Sequence, residues 1–245
     1  MIKSFFNSIL FFLFVINISA LEAKVLIITH SYNRPDFIEI QDKTFKKFLS
    51  DDYEFVVFND APKDEMCQQI QEMCTNLDIR CIRIPQSIHT APYLTRERND
   101  DLQNPGIRCA NVVQYSLDVL GFDHDGIVMI IDADMFLIQP FNITEYLKDF
   151  QLAGVPQKRQ HVNYIWNGLV FFNMNTLEDK TSIDFNCLKV EGVGVDVGGG
   201  LFHYFASHPL LRFNSIGNEY INEWTDLSAR QKKHAVVELL YHMQP

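Results

Sequence analysis

The chain is short of positive charge. Across its 245 residues, 21 lysines and arginines stand against 31 aspartates and glutamates, giving a formal net charge of -10 and a pI near 5.2. That balance argues against a nucleic-acid-binding protein, which shows a basic face, although a local basic patch could still hold phosphates. The five cysteines, Cys67, Cys74, Cys81, Cys109 and Cys187, form no C-x-x-C pair, which disfavours a structural zinc site. Their odd number leaves one thiol over, and spacing alone assigns no pairing. The polar stretch Thr29 to Arg34 lacks the G-x-G-x-x-G fingerprint, so a dinucleotide site of the usual kind is disfavoured. There is no internal repeat, no low-complexity tract and no linker to divide the body. The chain therefore reads as one folded unit behind an N-terminal segment, with its 47% hydrophobic content supplying a sizeable core.

The N-terminal segment is apolar from Phe5 to Ile18 behind Lys3, and small residues at Ala20 and Ala23 follow it. This is the pattern of a signal peptide, and the apolar stretch is shorter than the roughly 20 residues of a comfortable membrane span. Residues 1–23 are expected to be a cleaved signal peptide, with an uncleaved signal anchor as the alternative. A secretory or exported protein follows, with membrane anchoring or peripheral membrane association as its variant.

From Lys24 onward, KVLIITHSYNRPDF reads as a strand, a polar loop and the start of a helix running from about Asp36 to Leu49. YEFVVFNDA is a second strand ending on Asn59 and Asp60. A helix from Pro62 to about Asn76 and a third strand, Ile79 to Ile84, complete an alternating βα order. Pro85 to Pro105 has little periodicity and reads as a long loop. A helix from about Ile107 to Leu120 carries Arg108 and Asn111. Further on come strands near Leu152 and from Gly168 to Met174, and the pattern predicts a helix over Asp226 to His242.

The most informative stretch is IVMIIDADMFLIQP, Ile127 to Pro140. Five apolar residues have the length and β-branched content of a strand buried on both faces, and the run stops on Asp132 and Asp134 around Ala133. Alternation along an extended chain lets both carboxylates leave the strand end on one side. Mg²⁺ and Mn²⁺ prefer carboxylates and substrate phosphates, and open α/β sheets bind ligands beyond the carboxyl ends of their strands.

Taken in order, the βα half, the helix with Arg108 and Asn111, the strand ending Asp132-Ala133-Asp134, and the later WNGLVFFNM and DVGGGLFHYF segments resemble the glycosyltransferases of the GT-A fold. The resemblance covers Lys24 to about Pro209. It implies an α/β, Rossmann-like three-layer fold with a central mixed, mostly parallel sheet over residues 24–245. It also implies a metal-dependent transfer of a sugar from a nucleotide-diphosphate sugar to an acceptor hydroxyl on a glycan, lipid or protein. By position, Asp132 and Asp134 become metal ligands for Mn²⁺ or Mg²⁺, with Asp132 also at the ribose. Thr29, Ser31, Arg34, Asp60, Arg108 and Asn111 become donor contacts, and Trp166, Asn167 and Gly168 shape the sugar pocket. Asp196, among five glycines of a segment expected to move, is the candidate base, and His203 is a candidate third metal ligand. Three other functions fit parts of the pattern. One is a phosphohydrolase of the haloacid dehalogenase type, although its Asp-x-Asp lies near the chain start and Phe136 stands where Thr or Val is usual. Another is a non-catalytic carbohydrate-binding protein on the same fold. The third is a nucleotidyltransferase using a similar metal site.

Overall fold

The computed structural model describes residues 25–90 and 105–217, and the backbone of 236–238. The N-terminal segment, the acidic and basic run Arg96 to Asp101, and most of the C-terminal stretch lie outside the described residues.

Apolar strands and amphipathic helices alternate as the sequence pattern predicts: β1 (Val25–Ser31), α1 (Pro35–Phe48), β2 (Tyr53–Asn59), α2 (Asp64–Asn76) and β3 (Arg80–Arg83). Pro35 opens α1, where its missing N–H costs nothing, and Lys46 and Lys47 sit in the last turn against the negative end of the helix dipole. A single helical turn, α3 (Ser87–Thr90), interrupts the segment expected to be a loop. The helix α4 (Pro105–Ser116) then widens into a π turn over Leu117–Gly121 before β4 (Ile127–Ile131). The remainder comprises β5 (Met135–Leu137), α5 (Ile143–Leu147), β6 (Leu152–Arg159), β7 (Val162–Asn173), the small hairpin β8 (Lys189–Val190) and β9 (Val193–Gly194), α6 (Leu201–Ser207), β10 (Phe213–Ser215) and β11 (Val236–Glu238).

Seven strands form one sheet in the order β10-β6-β7-β4-β1-β2-β3. β1 is parallel to both β2 and β4, whereas β7 runs antiparallel between β4 and β6. The first three strands progress outward from β1 to β3, and the chain then returns to place β4 on the other side of β1. That reversal opens a crevice at the carboxyl ends of β1 and β4, where open α/β sheets take their ligands. Alternating side chains feed two cores. One face of the sheet buries Ile38, Phe45, Ile70 and Cys74 of α1 and α2 with Ile143 and Leu147 of α5. The other buries Ala110 and Val113 of α4 with Leu201 and Tyr204 of α6. The result is the expected three-layer α/β fold.

Two expectations are corrected here. Val236–Glu238, read from sequence as part of a helix, is a strand paired antiparallel with β5, Glu238 opposite Met135. Two β-branched valines in a short apolar group satisfy either pattern, and only the free edge of β5 decides between them. The strand expected from Gly168 begins six residues earlier, at Val162. Trp166-Asn167-Gly168, expected at or just before the start of that strand, is an irregularity inside it. The five cysteines are free thiols, those of Cys74 and Cys81 lying within hydrogen-bonding reach of one another.

Candidate active site

The acids leave β4 on a turn. The strand is extended only to Ile131, and the Met135 N–H then donates to the Asp132 carbonyl at 3.1 Å, so the two carboxylates project from a tight reversal and not from a straight strand end. The Asp132 N–H donates to the Gly168 carbonyl at 2.8 Å, anchoring the turn to β7. Asp132 and Asp134 are both half-buried. Burial pushes the Asp134 carboxyl above its ordinary range, and the Arg34 guanidinium opposes that shift. Arg34 itself donates to Asp36 from Nε at 2.8 Å and lies 3.6 Å over the Phe37 ring, so it stands at the site as a held cation.

A bulge in β7 faces this turn. Gly154 and Val155 are consecutive in β6, yet their partners on β7 are Val170 and Trp166, which leaves Asn167, Gly168 and Leu169 without partners on that side. Bulges re-aim side chains, and this one turns Trp166 back along the strand. A Cβ built on Gly168 would stand 2.2 Å from Cζ2 of Trp166 and 2.6 Å from Oδ2 of Asp132. Only glycine lets the indole edge and the carboxylate meet. Gly168→Ala is therefore expected to push ring and carboxylate apart, with an overpacking cost of about 1–3 kcal/mol. Thermal unfolding should fall by several degrees, at about 2–4 °C per kcal/mol for a domain of this size, and Trp166 fluorescence should shift. Unchanged melting and emission would mean that the contact relaxes freely.

Asp60 and Arg108, each a candidate donor contact, are paired with one another. Arg108 Nε donates to Asp60 Oδ2 at 2.8 Å and its Nη2 donates to the Asp60 carbonyl at 2.9 Å and to Gln86 Oε1 at 3.0 Å. Gln86 Nε2 donates to Asp60 Oδ1 at 3.1 Å and His89 Nε2 lies 2.8 Å from the same oxygen. With its side chain only 6% exposed, Asp60 organises the crevice wall, and three of its four carboxylate lone-pair sites are taken by Arg108, Gln86 and His89. Gln86 and His89 escaped the sequence reading because they lie in an aperiodic stretch where nothing marks a polar side chain as inward-facing.

Three further donor candidates prove to be internal. Thr29 is fully buried and donates from Oγ1 to the Ile131 carbonyl at 2.9 Å, tying β1 to β4 just before the acids. Asn111 is buried and donates to the Ile88 carbonyl at 3.1 Å, joining α4 to α3. Ser31 is fully buried at the crevice end of β1, and its Oγ has no protein partner. Alternation along the strand puts Thr29 and Ser31 on the inner face.

Asn167, expected in a sugar pocket, is buried and donates to Cys109 Sγ at 3.3 Å. Cys109 was missed by sequence reading, yet it is the point at which the site converges. Burial raises its thiol, with Asp132, Cys187 and Asp196 all close enough to add to the effect. Asp132 and Asp196, 64 positions apart, thus face a common region. Asp196 is half-exposed, accepts from the Val197 N–H at 2.9 Å, and pairs with Arg159 of β6 at 3.3 Å. The glycines that follow it, Gly198, Gly199 and Gly200, are tightly packed, whereas Gly192 and Gly194 before it have open space around them. Gly198 has φ of +89°, and a Cβ there would stand 1.9 Å from the Ile165 carbonyl oxygen, so the segment is clamped onto β7.

His203 lies away from the acidic turn in sequence. It lies exposed on α6 against the Phe202 ring, and among the described residues no group of three His, Cys, Asp or Glu side chains is gathered as a metal site. The chemistry of the pair Asp132 and Asp134, both carboxylates, fits a hard divalent ion, since Mg²⁺ and Mn²⁺ prefer carboxylates with phosphate oxygens completing the shell.

No protein-family model matches the chain, and no curated protein matches its sequence. Among solved structures, a mannosyltransferase from Pyrobaculum calidifontis, in complex with GDP-Man and Mn²⁺, matches with a TM-score of 0.50 at 15% identity over 87% of this chain. The match spans 61% of that enzyme's length. An active-site mutant of LgtC matches with a TM-score of 0.50 at 13% identity, over 87% of this chain and 86% of its own. With the sheet order and the βα crevice described above, these likenesses establish that the chain has the GT-A fold of nucleotide-sugar transferases.

Proposed function

We propose that this protein is a metal-dependent glycosyltransferase that moves a hexose from a nucleotide-diphosphate sugar to an acceptor hydroxyl. The observation that carries the reading is the pair of half-buried carboxylates, Asp132 and Asp134, on a turn at the point where the sheet reverses its strand order. The complex of the Pyrobaculum mannosyltransferase with GDP-Man and Mn²⁺ supports the same chemistry. In the reaction the bond between the anomeric carbon and the diphosphate oxygen breaks, a bond from that carbon to the acceptor oxygen forms, and the acceptor proton leaves. Asp132 and Asp134 would hold Mn²⁺ or Mg²⁺, and the ion would supply positive charge to stabilise the diphosphate leaving group. Arg34 adds positive charge on the same side. The Trp166 indole offers a flat apolar face to a sugar ring, and Asp196 takes the acceptor proton if the anomeric centre inverts. A nucleotide-sugar screen tests the reading: Mn²⁺-dependent thermal stabilisation by one nucleotide sugar, abolished by EDTA, is expected. No stabilisation by any of them would favour a non-catalytic carbohydrate-binding protein.

The same proposal places the enzyme in the secretory pathway, acting on glycan, lipid or protein acceptors, with residues 1–23 removed on export. Lys3, the short apolar stretch and the small residues Ala20 and Ala23 motivate it. Mass spectrometry of the mature chain should find a new N-terminus near Leu21 or Lys24. Intact Met1 on membrane-extracted protein would instead make the segment an anchor.

A further inference from the structure

The helix α1 buries a stripe formed by Phe37, Ile38, Gln41, Asp42 and Phe45. Gln41 is an exception in chemistry, since an amide occupies a position between Ile38 and Phe45 where packing alone asks for an apolar side chain, and it is fully buried. Its Nε2 carries two hydrogens and spends them on two carbonyls, that of Asp132 at 2.9 Å and that of Met135 at 3.2 Å. These are the first and last residues of the turn that carries both acids. Its Oε1 is buried with no protein partner. A group retained at a core position with half its hydrogen-bonding capacity unused is ill-suited to stabilising the fold for its own sake.

We infer that Gln41 is a positioning residue for the acidic turn, forking from α1 across both carbonyls so that Asp132 and Asp134 are held in one geometry for a divalent ion. The inference rests on the function proposed above. The turn is then fixed from three directions: the Gly168 carbonyl holds the Asp132 N–H, the Asp132 carbonyl closes on the Met135 N–H, and Gln41 holds both carbonyls from beneath. These bonds turn both carbonyl oxygens toward α1. Partners that orient ligands without touching a metal typically contribute 10–100-fold in metal affinity.

Calorimetry with GDP, and separately with UDP, is run on the full chain in MnCl₂ and in EDTA. Gln41→Met keeps length and volume while removing both the donors and the orphaned oxygen, so the melting temperature should stay within a few degrees of native. Its Mn²⁺-dependent nucleotide affinity should fall by about 10–100-fold, with affinity in EDTA unchanged. Gln41→Glu, buried against two carbonyls and so retaining its proton, keeps one donor and should lie between the two. On an Asp134→Asn background Gln41→Met should add no further loss, because the two residues act through one site. Native Mn²⁺-dependent affinity in Gln41→Met, or equal losses in Mn²⁺ and EDTA, would overturn the positioning role. Absence of Mn²⁺-dependent binding in the native chain would instead overturn the function on which it rests.

Discussion

Asp134→Asn is expected to abolish Mn²⁺-dependent binding of a nucleoside diphosphate while leaving the domain folded. Partners that merely orient metal ligands are worth 10–100-fold, so removal of a ligand itself should cost at least about 100-fold. The fold should tolerate the change because asparagine matches aspartate in shape. Burial already disfavours the charged form of Asp134, holding its carboxyl above the ordinary range. The ionised carboxylate thus costs stability, and the cost grows as pH rises past the unfolded-state value toward the folded one. At neutral pH the amide removes it, so the melting temperature should be unchanged or raised. In the proposed function that cost accompanies the role of Asp134, beside Asp132, in binding a metal. Calorimetry of native and variant chains, each with and without EDTA, measures this directly. Equal nucleotide affinity in all four titrations would remove the metal bridge from the mechanism.

Asp196→Asn carries the second large effect. If Asp196 takes the acceptor proton, turnover should fall by roughly 10²- to 10⁴-fold, the range for a positioned general base, with nucleotide affinity and melting temperature nearly native. Its ion pair with Arg159 is half-exposed on both sides, and such pairs are worth about 0–1 kcal/mol, so the carboxylate is available to a substrate at little cost. Arg159→Ala serves as the control, separating the ion pair from the proton transfer. A retaining reaction predicts a smaller loss in Asp196→Asn, since no base is needed at that position. A structural role predicts a lower melting temperature, with turnover falling only as the folded fraction falls. Near-normal turnover from a well-folded variant would end the assignment.

The element that mattered most was legible from one run of residues. Ile127 to Ile131 has no polar atom in its side chains and stops on an acid, and no soluble fold can place such a run other than inside, with the acids at its end. The alternation of strands and helices up to β3 was legible for a related reason: each element declares its buried face through a period of 2 or 3.6, a local property of the chain. Elements whose pairing depends on a remote edge were not legible. Val236–Glu238 became a strand because β5 offers it unpaired backbone groups, and Trp166-Asn167-Gly168 became a bulge because β6 and β4 flank it in different registers.

By itself, then, the sequence determined the βα order and the position of the two acids just beyond the end of a strand. Tertiary structure alone decided which polar side chains face the crevice and which are spent inside. Thr29, Asn111 and Asn167 carry the donors that a ligand would use, but each is satisfied by a partner between 58 and 102 residues away or, for Asn111, by a carbonyl on the neighbouring turn. Asp60 is held by Arg108, Gln86 and His89, which are far apart from it in sequence. Gln41, which resembles any helical glutamine, reaches the acidic turn across 91 positions. A side chain's chemistry is written in the chain, but whether its hydrogen bonds remain available is set by neighbours that only folding brings within about 3 Å.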